Sequence, residues 1–238
     1  MAPMQSLLVR IIDTVLIFFA SLVTGVTPKR PAELVFSPRA KVYYANHNSH
    51  GDFVLVWTAL PKRWRLVVRP VAGADYWDKG GLRRFLMHQV FNGLLIDRQG
   101  HDPQAAIQSM GEALQRGESL IIFPEGTRKM DDDIVLQPFK SGIYHLALSQ
   151  PDTEFIPVWL ENINRVLPKG KLIPVPLLCH VNIGEPVVLQ NGEDKASFLQ
   201  RTRHAMLQLA ALHELERQAM AATPAVSAAP AAPEGEQP

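Results

Sequence analysis

The chain has 238 residues, 47% of them hydrophobic, and its 24 basic residues nearly balance its 23 acidic ones. This size and apolar content allow one domain with a sizeable core. The charge balance argues against a nucleic-acid-binding protein, which would carry a strong basic excess. The single cysteine, Cys179, excludes an internal disulfide framework and favours a reducing compartment. Its apolar neighbours predict a thiol packed in the core and not a nucleophile.

The N-terminal segment at residues 7–26 is almost wholly apolar, broken only by Arg10 and Asp13. Its uninterrupted run, residues 14–26, is shorter than the stretch of about 20 residues that a spanning helix needs. A signal peptide, a buried core helix and a membrane-associated helix are all open interpretations. The sequence favours the last, a membrane anchor at residues 1–27 that spans the bilayer or lies in one leaflet. Basic residues soon after it predict that the following domain lies on the cytoplasmic side of the inner membrane.

Strand and helix patterns alternate after a Pro-containing linker at residues 27–39. The predicted strands cover residues 41–45, 65–71, 94–96, 119–123, 155–160 and 177–181. The predicted helices cover residues 53–60, 82–91, 103–116, 141–149 and 196–220. This alternation predicts an α/β fold, with a single domain at residues 28–220 whose mixed, largely parallel central sheet is flanked by helices. Residues 221–238, rich in Ala and Pro, are predicted to be disordered.

The predicted helix at residues 103–116 has clear signals at both ends. Asp102 is placed to cap its N-terminus, and Pro103 suits its first turn. Gly117 is placed to end it, since glycine readily adopts the left-handed conformation found after a helix.

The most informative motif, Asn-His-Asn-Ser-His-Gly-Asp, occupies residues 46–52, directly after a predicted strand. An imidazole can take a proton from a hydroxyl near neutral pH and return it, which makes His47 a candidate general base. The carboxylate of Asp52 can fix the tautomer of that imidazole and stabilise its charged form. Because Asn, Ser and Gly allow a sharp bend, a His after a strand can meet an Asp at the start of a helix. A metal site of His47, His50 and Asp52 is the alternative interpretation.

A second motif, Phe-Pro-Glu-Gly-Thr-Arg, follows the predicted buried strand and occupies residues 123–128. It places the carboxylate of Glu125, the hydroxyl of Thr127 and the guanidinium of Arg128 around a turn at Gly126. An Arg side chain and the backbone N–H groups of a Gly turn can bind phosphate oxygens. An ordinary solvated turn is the alternative interpretation.

Two further cations, one of which follows a predicted strand, are candidate phosphate ligands. Arg98 ends the segment 93–98, and Lys140 precedes a predicted helix. Either could instead be a surface group. Ligands of α/β folds gather at the carboxyl ends of strands. The two motifs and the segment that ends at Arg98 all follow predicted strands, so we expect these three to lie close together.

Four ordered blocks resemble the glycerophospholipid acyltransferases, the family that includes 1-acyl-glycerol-3-phosphate acyltransferase. Residues 46–52 match the N-H-x-S-x-x-D motif in full, and residues 123–128 match F-P-E-G-T-R in full. Residues 93–98 match the G-x-x-F-I-x-R block in part, because the Gly lies one residue too close and a Leu replaces the Phe. Residues 155–158 match a later apolar-Pro block in part.

The resemblance implies that His47 is the general base and Asp52 its orienting partner. His47 would deprotonate a hydroxyl of a lysophospholipid, with 1-acyl-glycerol-3-phosphate as the favoured acceptor. The hydroxyl oxygen would then attack an acyl thioester of coenzyme A or acyl carrier protein. The product from the favoured acceptor would be phosphatidic acid. The acceptor's phosphate and glycerol would be held by Arg98, Glu125, Gly126, Thr127 and Arg128, with Lys140 as a further candidate cation. No cofactor or metal is expected. The expected partners are the acceptor lipid, the acyl donor and the membrane bilayer, with no nucleic acid.

Two details near the first motif are also expected. Ser49 would cap the helix that follows it. Phe53, Val54 and Trp57 would either approach the bilayer or pack in the core, and the core is favoured for Phe53 and Val54. Two alternative functions stay open: an O-acyltransferase with another lipid acceptor, such as a lyso-aminolipid, and a metal-dependent hydrolase that uses His47, His50 and Asp52.

Overall fold

The computed structural model describes residues 39–49, 51–97, 102–128, 135–161 and 179–222, together with residues 11, 12, 14, 15, 18, 25 and 27–29. Its strands are β1 (Thr27–Lys29), β2 (Lys41–Ala45), β3 (Val68–Gly73), β4 (Leu94–Ile96), β5 (Ser119–Ile122), β6 (Glu154–Leu160) and β7 (His180–Ile183). Its helices are α1 (Asp52–Ala59), α2 (Lys62–Arg65), α3 (Ala74–Trp77), α4 (Gly81–Phe85), α5 (Pro103–Gln115), α6 (Gly142–Ser149) and α7 (Lys195–Ala222). A π-helical turn, Leu86–Val90, continues α4.

The described strands form one seven-stranded sheet in the order β1-β7-β6-β2-β5-β3-β4. All neighbouring pairs are parallel except β6 and β7, which are antiparallel. The predicted α/β fold with a mixed, largely parallel sheet flanked by helices is therefore confirmed. Because β2 lies between the parallel strands β5 and β6, the segments that follow these three strands meet at one edge of the sheet.

The central strand β2 shows how the sequence builds two hydrophobic layers. All five of its residues are buried, and alternate side chains enter opposite layers. Tyr43 and Ala45 pack in the layer that contains α1. Val42 and Tyr44 pack in the layer that contains α5, α6 and α7. A continuous apolar run in β2 is thus required because helices cover both faces of the sheet.

The α1 layer contains several of the aromatic residues that follow the first motif. Phe53 and Trp57 are buried and pack edge-on against Phe91, with ring centroids 4.9 and 5.2 Å away. Val54 is half-buried against the same layer. The core interpretation is therefore correct for Phe53 and Val54, and Trp57 also packs inside. Cys179 is wholly buried in this layer, and burial raises the pKa of its thiol to about 11, as expected of a packed thiol.

Several element boundaries differ from the sequence prediction. Part of the predicted linker forms β1, which pairs in parallel with β7. The predicted strand at residues 65–71 instead begins at Val68 and reaches Gly73, because α2 occupies the preceding residues and buries Trp64. The last predicted strand lies at His180–Ile183, and Leu177 and Leu178 are outside the described residues.

Most of the predicted anchor, residues 1–27, lies outside the described residues. Ala221 and Ala222, predicted to begin the disordered tail, instead end α7, and the rest of that tail, residues 223–238, lies outside the described residues. Within the anchor, Ile11, Ile12, Thr14, Val15 and Phe18 are helical, and Ile12 packs against the α1 layer. In the part of the chain that the structure describes, no helix has the length and apolarity needed to cross a bilayer. The membrane helix stays a prediction.

The N-terminus of α5 provides a test of the predicted cap. One Asp102 oxygen accepts hydrogen bonds from the N–H groups of Gln104 (2.9 Å) and Ala105 (3.2 Å). We expect Asp102→Ala to lower the free energy of unfolding by about 1 kcal/mol, since these two donors lose their partner. Urea unfolding followed by circular dichroism measures the change. Asp102→Asn keeps an acceptor oxygen, so an equal loss in both variants would contradict the capping role.

Candidate active site

Asn46, the residue directly after β2, fixes the position of the chain at the end of that strand. Its side-chain amide donates to the Leu160 carbonyl at 3.0 Å, and its side-chain oxygen accepts from the Leu160 N–H at 2.7 Å. Both groups belong to the last residue of β6, the strand beside β2. The loop that carries His47 therefore starts from a position held by two strands. Asn46 belongs to the first motif, but the sequence alone suggested no role for it.

The imidazole of His47 is held by Asp52, the first residue of α1. His47 Nδ1 lies 2.9 Å from Asp52 Oδ2. The same oxygen accepts hydrogen bonds from the N–H groups of Asn48 (2.5 Å) and Ser49 (2.8 Å). The predicted pairing of His47 with Asp52 is therefore seen in the structure. Since Nδ1 is occupied and no described residue bonds Nε2, Nε2 is the nitrogen available for proton transfer.

Asp52 is a wholly buried carboxyl group. Burial raises its pKa, because the charged form loses contact with water, and the hydrogen bonds from His47, Ser49 and Asn48 oppose that shift. These three hydrogen bonds offset the effect of burial only in part, so the pKa of Asp52 stays above its ordinary value. They favour the charged carboxylate, the form that can stabilise a positively charged imidazole.

Ser49 has a different role from the predicted one. The N-cap residue of α1 is Gly51, and no side chain caps this helix. The Ser49 hydroxyl instead accepts from the Gly51 N–H at 3.1 Å. The Asp52 carboxylate accepts a hydrogen bond from the N–H of Ser49. The contact between the loop and the helix is therefore made by a side chain of the helix and not by the side chain of Ser49.

Glu125, in the turn that follows the adjacent strand β5, holds the His47 loop. It is 2% exposed, and its oxygens accept from the N–H of His47 at 2.7 Å and the N–H of Gln137 at 3.0 Å. Burial raises the pKa of this carboxyl group, and the two backbone donors oppose the shift. With both oxygens used internally, the geometry gives no support to the predicted contact between Glu125 and substrate. It indicates a positioning role that the exposed turn expected from the sequence did not suggest.

Phe123 supports the ring of His47 directly. The two rings stack with their centroids 4.4 Å apart and their planes inclined by 24°. Phe123 follows β5, which lies next to β2 in the sheet. Two residues of the second motif therefore support His47: Phe123 packs on its ring, and Glu125 accepts a hydrogen bond from its backbone N–H.

A cleft of about 1420 Å³ opens beside His47. Of the predicted site residues, His47, Gly126, Thr127 and Lys140 line it. Asp52 lies buried behind His47, and Arg128 is half-buried outside the lining. The predicted Arg98 and the alternative metal ligand His50 lie outside the described residues. The cleft also has apolar walls, formed by Phe53, Val71, Ile96, Ile107, Met110, Ile122, Ile143 and Leu146.

Gly126 is required for the shape of the turn at the cleft. Its φ is +74°, a left-handed conformation that favours glycine. A Cβ at this position would lie 3.2 Å from Cγ of Lys140, whose side chain crosses the turn. The Lys140 N–H also donates to the Pro124 carbonyl at 2.8 Å. Gly126 thus allows Lys140 to lie close to the turn, at the wall of the cleft.

The alternative metal site would use His47, His50 and Asp52. Among the described residues, no three His, Cys, Asp or Glu side chains are grouped so that they could hold a metal ion. The alternative set includes His50, which is outside that part of the chain.

Sequence comparison identifies the class of protein that this fold and site define. The family model described as Acyltransferase matches residues 32–161, more than half of the chain, so the chain belongs to the acyltransferase family. This confirms the family inferred from the motifs.

The chain is similar to curated plant proteins of this family. The 1-acyl-sn-glycerol-3-phosphate acyltransferase of Limnanthes alba is 34% identical over 160 residues, 62% of this chain and 52% of the relative. The protein of the same name from Cocos nucifera is 29% identical over 170 residues, 67% of this chain and 50% of the relative. The chain therefore spans about half the length of the curated relatives it matches.

A solved structure shows the same fold. The 1-acyl-sn-glycerophosphate (LPA) acyltransferase PlsC from Thermotoga maritima superposes with a TM-score of 0.65, covering 86% of this chain and 81% of that chain. At 20% sequence identity, this similarity concerns the fold alone.

The internal role of Glu125 can be tested by Glu125→Gln. The side-chain amide of Gln keeps one acceptor oxygen, but its NH₂ group replaces the other oxygen of Glu125. Either the N–H of His47 or the N–H of Gln137 then loses its acceptor. We expect the free energy of unfolding to fall by about 1–3 kcal/mol, measured by urea unfolding. Glu185→Gln, at an exposed site, is the matched control and should leave stability unchanged. Unchanged stability in both variants would contradict the role assigned to Glu125.

Proposed function

We propose that the protein transfers a fatty acyl group from an acyl thioester to the free hydroxyl of a lysophospholipid. The observation that carries this proposal is the arrangement of His47: Asp52 holds Nδ1 at 2.9 Å, and the residue lines the cleft with Nε2 available. The names of the similar proteins from Limnanthes alba and Cocos nucifera favour 1-acyl-sn-glycerol-3-phosphate as the acceptor and phosphatidic acid as the product.

In the proposed reaction, Nε2 of His47 takes the proton of the acceptor hydroxyl as its oxygen attacks the thioester carbonyl carbon. Asp52 stabilises the imidazolium that forms. The tetrahedral intermediate then collapses, the carbon–sulfur bond breaks, and the imidazolium gives its proton to the departing thiolate. An ester and a free thiol result, and His47 returns to its starting state. No acyl-enzyme intermediate is needed.

The acceptor's phosphate would lie at the turn that contains Gly126. Lys140 and Thr127 line the cleft there, and the side chain of Lys140 is packed over the glycine. A fixed phosphate would hold the hydroxyl near Nε2, and such positioning lowers the barrier without further chemistry. We propose Lys140 and Thr127 as the phosphate contacts from the described residues, with Arg128 and Arg98 as the additional cations expected from the motifs.

The donor is proposed to be acyl-coenzyme A or acyl-acyl carrier protein, with no metal or other cofactor. We propose that the protein acts at the cytoplasmic face of the inner membrane, because its proposed acceptor and product are both lipids. A related acceptor, such as a lyso-aminolipid, is the second candidate, supported by the altered block at residues 93–98. Incubation with a labelled acyl thioester and a panel of lysolipids, followed by mass identification of the product, tests the acceptor class.

His47→Ala tests the proposed general base. We expect kcat to fall by about 10²–10⁴-fold, because general base catalysis contributes about this much. The side chain is 13% exposed, and the pairing between Asn46 and Leu160 does not involve it, so circular dichroism should show a folded protein. Turnover near that of the unsubstituted enzyme in a folded His47→Ala variant would overturn the mechanism.

Lys140→Gln tests the phosphate contact. We expect the KM for a phosphate-bearing acceptor to rise about 10- to 100-fold, since a hydrogen bond to a charged group contributes about 1.5–3 kcal/mol. Lys140→Arg should recover part of the loss, and Lys195→Gln, at an exposed site on α7, should have no effect. An equal rise in KM for acceptors with and without a phosphate would show that Lys140 does not bind this group.

A further inference from the structure

Residues 74–85, which we call the rim segment, form one wall of the cleft. The segment consists of α3, α4 and the short connection between them, and it follows the carboxyl end of β3. Asp75, Tyr76 and Trp77 line the cleft. Trp77 packs edge-on against Phe53, which lies in the same lining, with ring centroids 5.5 Å apart. The rim segment is therefore fixed beside the candidate active site.

The rim segment also exposes an apolar residue that is close in sequence to several cations. Leu82 is 72% exposed, more than any other large hydrophobic residue in the described part of the chain. Lys79, Arg83 and Arg84, which are close to Leu82 in sequence, are also exposed. Arg84 pairs with Asp78 at 3.2 Å, whereas neither Lys79 nor Arg83 has a carboxylate partner among the described residues.

The guanidinium of Arg83, an exposed residue, contacts a residue in the wall of the cleft. Its guanidinium carbon lies 4.4 Å from the ring centroid of Tyr76, which lines the cleft. This cation–π contact holds the charge at the rim instead of leaving it free in solvent. A negatively charged surface that meets Arg83 would therefore also lie close to Tyr76, in the wall of the cleft.

This composition is characteristic of segments that lie at a membrane surface. Tyr and Trp are enriched at the boundary between lipid and water, where their rings contact both. Lys and Arg bind anionic headgroups, and an exposed Leu can enter the boundary between headgroups and acyl chains. The rim segment combines all three types within residues 74–85, beside a cleft proposed to receive a lipid.

We propose that the rim segment is the surface by which the folded domain docks on an anionic lipid bilayer. Leu82 enters the headgroup region, and Lys79 and Arg83 bind lipid phosphates. The inference rests on the proposed function in one respect: docking here would bring the cleft, whose wall the rim segment forms, close to the layer from which the acceptor comes. It places the membrane contact in the domain itself, separate from the predicted anchor at residues 1–27.

A spin label at position 82 tests this docking in the full chain. Leu82→Cys and Leu212→Cys introduce single exposed thiols, while the native Cys179 is wholly buried and should not react. Leu212 is 59% exposed on α7, which packs on the opposite layer of the sheet. On phosphatidylethanolamine–phosphatidylglycerol vesicles, we expect label 82 to become several-fold less accessible to aqueous nickel chelate and more accessible to oxygen, with label 212 unchanged. Unchanged accessibility at position 82 would overturn the proposal.

The same label distinguishes a lipid surface from an acidic protein partner. Loss of mobility at position 82 on addition of acyl carrier protein, with no response to vesicles, would assign the surface to a protein and overturn the lipid assignment. A matched charge test uses Lys79→Glu and Lys62→Glu. Both lysines are exposed, but Lys62 precedes β3 at the opposite edge of the sheet. We expect only Lys79→Glu to increase the accessibility of label 82 on anionic vesicles.

Activity measurements separate this inference from the proposed function. If docking is correct, Leu82→Gln should lower transfer to acceptors embedded in vesicles several-fold and leave transfer to acceptors in detergent micelles unchanged. An equal loss in both assays would contradict docking. If the unsubstituted protein transfers no acyl group to any lysolipid and label 82 still enters the bilayer, the proposed function fails and the docking surface stands.

Discussion

The buried carboxylate of Asp52 is the constraint on which the rest of the site depends. A charged group without contact to water is stable only when hydrogen bonds replace its hydration. Here one oxygen accepts from the backbone of Asn48 and Ser49 and lies 2.9 Å from His47 Nδ1. The chain between His47 and Asp52 must therefore bend so that its own N–H groups point at the carboxylate. The same bend fixes the imidazole, so one set of contacts stabilises the loop and prepares the base.

The parallel sheet explains why two distant motifs form one site. The first motif follows β2 and the second follows β5, and these strands are neighbours with the same direction. Phe123 can then stack on the imidazole, while Glu125 binds the backbone N–H of His47. On the other side, β6 receives the side chain of Asn46. The candidate base is thus supported from the two strands that flank its own.

Much of the fold and the central pair could be predicted from the sequence, because both depend on local patterns. Alternating apolar segments gave the α/β class, and the cap at Asp102 gave the start of α5. The pairing of His47 with Asp52 followed from their spacing and the turn-forming residues between them. The internal roles of Asn46 and Glu125 could not be predicted in the same way. Asn46 binds Leu160, which is distant in sequence, and Glu125 binds Gln137, which lies beyond a turn. Only the folded sheet brings these partners together. β1 was missed because its three residues are too few to show a period.

The use of backbone N–H groups by Asp52 and Glu125 has a consequence for how the site can be observed. The amides of His47, Asn48, Ser49 and Gln137 belong to connecting segments, yet each donates to a carboxylate that is buried. Hydrogen exchange at such amides requires the carboxylate contacts to open first. These loop positions should therefore exchange more like strand residues than like ordinary loops. The integrity of the site can then be followed in solution from its own backbone, without a substrate or a reaction.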